Sequence, residues 1–312
     1  MKIVFLGTPE FAAYSLRHLL DAGVEIAAVV TMPDKPAGRG HKMLQSAVKQ
    51  LAVERGLKLL QPVSLKAPEF VDELRAIDAD LFVVIAFRML PEVVWRMPRL
   101  GTFNLHASLL PRYRGAAPIN WAVINGDTET GVTTFFLKHE IDTGDIIAQE
   151  KITIAPEDNV GDVHDRLMEL GAELTLKTIR DIEAGTLTTI PQDSLTGGTE
   201  PTPAPKIFKD TCHIDWTQSA EAVHNLVRGL SPYPAAWTRI EPLGDVKIFE
   251  TRILDKKSDI VPGRITLGGD GTMTIDCADA PLEILQLQPQ GKRRMAVADF
   301  LRGTRTELSE AK

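Results

Sequence analysis

The run Leu81-Phe82-Val83-Val84-Ile85-Ala86 contains no polar alternation. A strand of that kind must hide both faces, as strands do where helices cover each side of a parallel sheet. The surrounding sequence repeats the requirement. Ile3 to Leu6 and Ile26 to Val30 are short apolar strands, and helix signals fall between them. Pro9 to Ala22 reads as a helix with proline in its first turn and Gly23 at its end. His41 to Arg55 reads as a second, closed by Gly56, and Lys66 to Ile77 as a third. This alternation predicts a Rossmann-like α/β domain, a mostly parallel sheet with helices on both faces. Gly101 to His106 and Asp145 to Ile154 extend the sheet, with a helix from Ala117 to Asn125 between them. Asn159 to Gly185 is a long amphipathic helix, its Val163, Leu167, Leu170, Leu174 and Ile182 near helical spacing and suited to covering the sheet.

The composition then shifts. Gly197-Gly198-Thr199-Glu200-Pro201-Thr202-Pro203-Ala204-Pro205 is rich in proline and glycine and reads as an extended linker. After it come a helix from Ser219 to Arg228 and short strands separated by turns at Gly244-Asp245, Pro262-Gly263 and Gly268-Gly269-Asp270-Gly271. Strands at that spacing predict a small β-barrel. The expected division is a first domain over residues 1–190, a linker over 191–205 and a second domain over 206–312.

Hydrophobic residues make up 44% of the chain and charged residues 25%, an ordinary soluble balance. No apolar run approaches membrane-spanning length, and Met1-Lys2-Ile3-Val4-Phe5 enters a strand without a signal-peptide layout. The two cysteines, Cys212 and Cys277, lie far apart and form neither a disulfide framework nor a zinc motif. A cytoplasmic chain with no metal is the natural expectation. The net charge of −7 argues mildly against nucleic-acid binding, yet acids and bases cancel from Pro205 onward. Gly7-Thr8-Pro9 after the first strand carries one of the three dinucleotide-fingerprint glycines, too few to support a nicotinamide cofactor.

Asn104 and His106 stand two apart at the end of an apolar-leaning strand. Residues i and i+2 of a strand share a face, and open α/β sheets bind ligands at the C-terminal ends of their strands. Asp142 lies on a loop between Ile141 and a Thr-Gly-Asp turn. Each has a plain structural explanation alone, because Asn caps turns, a lone His is usually buried and satisfied, and Asp-Thr-Gly is turn chemistry. Together they place an amide, an imidazole and a carboxylate within reach of one small site.

Asn104-Leu105-His106, the following Ser108-Leu109-Leu110-Pro111 and the loop Ile141-Asp142-Thr143-Gly144-Asp145 resemble the core of the 10-formyltetrahydrofolate-dependent formyltransferases. The opening Lys2 to Ala12, the loop Pro33 to Gly40, the segment Pro111 to Ile119, Ala204-Pro205-Lys206-Ile207 and Arg228 to Thr238 extend the likeness over nearly the whole chain. Within the family it is greatest to the branch whose acceptor is initiator methionyl-tRNA. The resemblance implies an OB-like second domain, a 10-formyltetrahydrofolate co-substrate, a tRNA partner and action as a monomer. It assigns catalysis to Asn104, His106 and Asp142. Formyl transfer to an amine passes through a tetrahedral oxyanion, and donors held in advance at that oxygen lower the barrier, often by about 3 kcal/mol each. Asn104 offers an amide donor and His106, when protonated, a charged one. Asp142 orients the ring or, directly or through water, collects the proton of the attacking amine.

The folate is implied to border Ser108, Leu109, Leu110, Pro111 and Phe87. Phe87-Arg88 stands where many relatives have Tyr-Gly, so a glycine that allows close backbone approach is missing and Arg88 is given no role. His139 is read as a surface residue. The tRNA is implied to meet Lys35, Arg39, His41 and Lys42 in a basic Gly/Pro-rich loop, and Lys206 and Lys209 after the linker read as part of a basic stripe that would supply salt-dependent RNA affinity. Three other readings use the same residues: a formyltransferase acting on a small amine such as glycinamide ribonucleotide or an amino sugar, a folate hydrolase, and a non-catalytic RNA-binding relative. A small acceptor needs neither the basic loop nor the second domain, and an RNA-binding relative needs no catalytic trio.

Overall fold

The computed structural model describes residues 1–37, 42–196, 201–255, 259–303 and 308–312. The chain packs as two compact units. The first comprises Met1–Gly115, Gly131–Ile152 and Asp165–Pro203, and the second Ala116–Thr130, Thr153–His164 and Ala204–Lys312.

A seven-stranded sheet forms the first unit, in the order Ile146–Thr153, Glu129–Phe136, Thr102–His106, Leu81–Ile85, Ile3–Gly7, Ile26–Val30, Leu59–Leu60. The five strands from Thr102–His106 to Leu59–Leu60 run parallel. Their side chains explain the arrangement, since Leu81–Ile85 and Ile3–Gly7 are buried at every position. Helix Pro68–Ile77 lays Phe70, Val71 and Leu74 on one face, against Val4, Leu6, Val30, Phe82 and Val84. On another part of the sheet, helix Val160–Ala184 passes so close that a Cβ on Gly171 would lie 2.8 Å from Leu105 Cδ2. The winding reverses at Ile3–Gly7, which pairs with Ile26–Val30 on one side and Leu81–Ile85 on the other. The C-terminal ends of Leu81–Ile85 and Thr102–His106 therefore open on the rim where such sheets bind ligands.

Two elements differ from the sequence expectation. The helix expected over His41 to Arg55 spans only Ala47–Glu54. Ser46 begins it, its hydroxyl accepting from the Lys49 backbone N–H at 3.0 Å. Lys42–Leu44 instead pairs antiparallel with Lys35–Ala37, and His41 lies outside the described residues. Glu129–Phe136 is a strand the helix–strand alternation does not anticipate; it runs antiparallel to Thr102–His106 and sets His106 beside Thr133.

The second unit holds an antiparallel sheet in the order Ala236–Ile240, Gly244–Ile253, Pro281–Pro289, Met273–Asp276, Ile265–Leu267, with Met295–Ala296 added on Pro281–Pro289. Helix Ala220–Leu230 covers its core with Ala220, Val223, Val227 and Leu230. The last residues close the OB-like barrel. Lys312 exchanges two backbone hydrogen bonds with Arg239, while Ala311 donates to the Gly263 carbonyl and Ser309 accepts from Ile265. The tail thus bridges the two edge strands, and Lys312 O also accepts from Thr238 Oγ1 at 2.8 Å. Such a bridge covers strand edges that would otherwise be exposed. Among the described residues, no helix is long and apolar enough to cross a membrane.

Deleting Ser309–Lys312 should destabilise the second unit by several kcal/mol, because each lost hydrogen bond contributes roughly 0.5–1.5 kcal/mol. Urea unfolding followed through tryptophan fluorescence would read this, since Trp216 and Trp237 both lie in that unit. An unchanged midpoint would show that the tail decorates a barrel already closed without it.

Candidate active site

Asn104 and His106 share one face of the strand Thr102–His106, as their two-residue spacing requires. His106 is buried, with its ring edge-on to Phe135 at 6.5 Å between centroids. Its Nε2 lies 2.8 Å from the backbone carbonyl of Tyr113. A carbonyl only accepts, so Nε2 carries the proton and Nδ1 is the ring atom left to face a reaction. Nδ1 lies 3.9 Å from Asp142 Oδ2, close enough for charge attraction and too far for a direct hydrogen bond. Asn104 is half-buried two residues before His106 on the same strand.

Asp142 is held by its backbone surroundings. Its Oδ2 accepts from the Gly115 N–H at 3.0 Å, and its own φ is +54°. A non-glycine residue in the left-handed region costs on the order of 1–3 kcal/mol and persists only where neighbours over-determine it. Two neighbours supply that. Gly144 lies so near the adjoining strand that a Cβ there would sit 1.5 Å from the Phe136 carbonyl oxygen. The fully buried Gln192 amide donates to the Asp142 carbonyl at 2.9 Å and the Gly144 carbonyl at 2.8 Å. Tyr113, whose carbonyl orients His106, is likewise at positive φ, +61°.

The segment Ser108 to Pro111 is a braced turn. Ser108 Oγ donates to the Arg112 carbonyl at 2.7 Å, and Thr133 Oγ1 donates to the Ser108 carbonyl at 2.6 Å. Gln149 Nε2 donates to the Leu110 carbonyl at 2.8 Å. Leu110 packs inward against Phe135 and Ile146. The Ser108 hydroxyl and the Leu110 side chain are thus spent on the fold, leaving Leu109 and Pro111 half-buried. Phe87 is half-buried at the end of Leu81–Ile85, following Ala86 at φ +47°. Arg88 Nη1 donates to the Val63 carbonyl at 2.8 Å and Nη2 to that of Pro62. Its guanidinium lies 5.6 Å from the Phe87 ring centroid, and burial pulls its pKa down. Arg88 therefore ties the rim loop to its neighbour.

Residues 1–179 match the formyl transferase family, and residues 206–305 match the formyl transferase C-terminal domain family. The chain belongs to the formyl transferase family. A methionyl-tRNA formyltransferase of Bacteroides fragilis is 55% identical over 307 residues, covering 97% of this chain and 95% of its own. That of Bacteroides thetaiotaomicron is 53% identical over 309 residues, covering 98% and 96%. An N-formyltransferase from Helicobacter canadensis, solved with folinic acid and dTDP-3-aminofucose, has a TM-score of 0.65 over 95% of this chain and 100% of that one. At 18% identity this last likeness concerns the fold alone.

The residues expected at RNA are spread over both units of this formyl transferase. Lys35 is exposed on the strand Lys35–Ala37. The base of that loop is pinned by Asp34, which pairs with Lys49 at 2.6 Å and accepts from Gln61 at 2.9 Å. The Lys49 and Gln61 hydrogen bonds hold the Asp34 carboxyl below the usual carboxylate range. Arg39 and His41 lie outside the described residues, and of Lys42 only the backbone is described. In the second unit, Lys206 lies over the exposed Phe208 ring and Lys209 over that of Trp237, which also meets the His213 ring at a tilt of 57°. His139 is exposed, as a surface residue should be. The residues sequence reasoning misses are Tyr113, Gly115 and Gln192. The first two act through the backbone and carry no side-chain signal, and Gln192 is 50 residues from Asp142.

Gly144→Ala should displace the Asp142 loop, because the Phe136 carbonyl is backbone and cannot step aside. Formyl transfer should fall roughly a hundredfold, the loss expected when a reacting group moves by about 1 Å. A steady-state assay beside a thermal melt would test this; full activity in a stable variant would rule the clash out.

Proposed function

We propose that this chain transfers the formyl group of 10-formyltetrahydrofolate to the α-amino group of initiator methionyl-tRNA, as a cytoplasmic step before translation begins. The observation that carries the reading is His106 on the same strand face as Asn104 and 3.9 Å from Asp142, in a chain at least 53% identical to methionyl-tRNA formyltransferases in the two relatives above.

The chemistry follows from the free atoms of the site. The neutral amine attacks the formyl carbon, a C–N bond forms, and negative charge gathers on the formyl oxygen. Asn104 donates to that oxygen without titrating. His106 Nδ1 takes the proton released by the amine, while Nε2–H remains fixed on the Tyr113 carbonyl. Asp142, 3.9 Å away, stabilises the imidazolium this creates. Collapse of the intermediate breaks the bond to the folate nitrogen, which takes the proton held on His106, and releases tetrahydrofolate with the formylated amine. This gives His106 the part of base, with Asn104 as the oxyanion donor; the geometry favours it over ring donation from Nε2, which is already engaged. The folate lies along Phe87, Ser108, Leu109, Leu110 and Pro111 in this reading, met by backbone groups and by Leu109. The amine is a nucleophile when neutral, so neither an activated serine nor a metal enters the scheme.

His106→Ala, Asn104→Ala and Asp142→Ala should each cut formyl-methionyl-tRNA formation by roughly two to three orders of magnitude, with tRNA affinity retained. Incubating each protein with 10-formyltetrahydrofolate and Met-tRNA, then measuring formyl-methionine, decides the matter. Near-normal turnover in Asp142→Ala would sink the mechanism, and no product from the unaltered chain would sink the function.

The RNA reading assigns Lys35, Arg39, His41 and Lys42 to the acceptor end and Lys206 and Lys209 to the strand beyond it. The aromatic faces of Phe208 and Trp237 beside two lysines support the second group. The double variant Lys206→Ala/Lys209→Ala should raise KM for tRNA and lower the slope of log K against log salt by roughly 1.5. KM for folate should not move. An unchanged salt slope would make these lysines ordinary surface charge.

A further inference from the structure

Gln192 opens a short 3-10 segment, Gln192–Ser194, far from the catalytic strand in sequence, yet its side chain is only 2% exposed. Both ends of its carboxamide are fully engaged. Oε1 accepts from Arg114 Nε at 3.1 Å and from Arg114 Nη2 at 2.7 Å. Nε2 donates to the Asp142 carbonyl at 2.9 Å and the Gly144 carbonyl at 2.8 Å. A buried amide with two donors and two accepting bonds has no spare capacity and no freedom to flip, because a flip would set its oxygen against two carbonyls.

The two segments it joins both carry groups of the site. Arg114 sits between Tyr113, whose carbonyl orients His106, and Gly115, whose N–H holds the Asp142 carboxylate. The Asp142 backbone is itself in the left-handed region at φ +54°, a conformation that requires outside support. Gln192 supplies that support from the carbonyl side, while Gly115 supplies it from the carboxylate side. We infer that Gln192 is a positioning residue for the transfer reaction: it acts through Asp142, fixing the carboxylate relative to His106, and it couples that distance to the chain segment leading out of the first unit. The inference rests on the proposed formyl transfer for its kinetic consequence, and on the hydrogen bonds alone for its structural one.

Two substitutions separate the halves of the carboxamide. Gln192→Glu keeps an oxygen for Arg114, now as an ion pair, and loses both donors to the Asp142 loop. Gln192→Met keeps the volume and loses all four bonds. If Gln192 serves only to anchor its own segment through Arg114, Gln192→Met, which sets no oxygen against the Asp142 and Gly144 carbonyls, should retain kcat. If it positions Asp142, both variants should lose kcat by roughly ten- to a hundredfold with KM for Met-tRNA changed less than threefold, as expected for a misplaced catalytic group. In an Asp142→Ala background either change should cost under threefold more, because the residue through which Gln192 acts is gone.

Amide hydrogen exchange read by mass spectrometry on the full chain gives an answer independent of activity. Peptides covering residues 140–146 should lose protection in Gln192→Glu and Gln192→Met alike, with the peptide covering residues 81–86 unchanged as an internal control for folding. Normal kcat together with normal protection in Gln192→Met would overturn the inference. An unaltered chain that makes no formyl-methionine would overturn the proposed function, while the exchange result would still decide what Gln192 holds.

Discussion

The Asp142 carboxylate is held where the backbone alone would not put it, and Gly115, Gly144 and Gln192 are arranged around that fact. Its φ of +54° is costly, so the loop must be fixed from several sides at once. Gly144 allows the loop to lie against the Phe136 carbonyl, Gly115 donates to the carboxylate, and Gln192 gathers two carbonyls. The reward is a charge 3.9 Å from an imidazole whose other nitrogen is already committed. Because Nε2 is engaged by Tyr113, the direction in which His106 can exchange a proton is set before any substrate arrives. Such preorganisation matters more for acyl chemistry than the strength of any single contact.

How far the sequence reveals this arrangement depends on which atoms do the work. The parallel sheet was legible because unbroken apolar runs such as Leu81–Ile85 admit few other folds. Asn104 and His106 were legible because a period of two places side chains without knowledge of tertiary structure. The Tyr113 carbonyl and the Gly115 N–H were not, since every residue has such groups and only the fold decides which ones point inward. The strand Glu129–Phe136 was hidden for a related reason: it is antiparallel in a domain whose pattern announces parallel winding, and it is buried from Thr130 to Phe135. The start of the helix Ala47–Glu54 was misread because basic and apolar residues before Ser46 mimic helical spacing, while the hydroxyl that actually begins the helix is a local signal.

Arg88 illustrates how a departure from a familiar pattern can be absorbed. A glycine at that position would let the rim backbone approach its surroundings without side-chain cost. Here the side chain reaches back to the carbonyls of Pro62 and Val63 and lies beside Phe87. The rim loop gains an anchor on the neighbouring connection, two residues after Ala86 at positive φ. What looked in sequence like the loss of a permissive residue is, in the fold, a substitution of one way of fixing a loop for another.

The second unit is not contiguous in the chain. Its core receives Ile124 from a helix that precedes the long covering helix, and Asn120 on that same helix donates to the Gly229 carbonyl at 2.8 Å. Gly229 itself is small enough for the Ile124 backbone to approach, with a Cβ there only 2.9 Å from the Ile124 nitrogen. Consider, then, a gene in which everything after the Pro-rich stretch had been exchanged for another sequence. The new segment would inherit a helix shaped for a partner it does not possess, with Asn120 and Ile124 presenting a half-finished interface. Shuffling at the most obvious seam in the text of this protein would divide a single packed body.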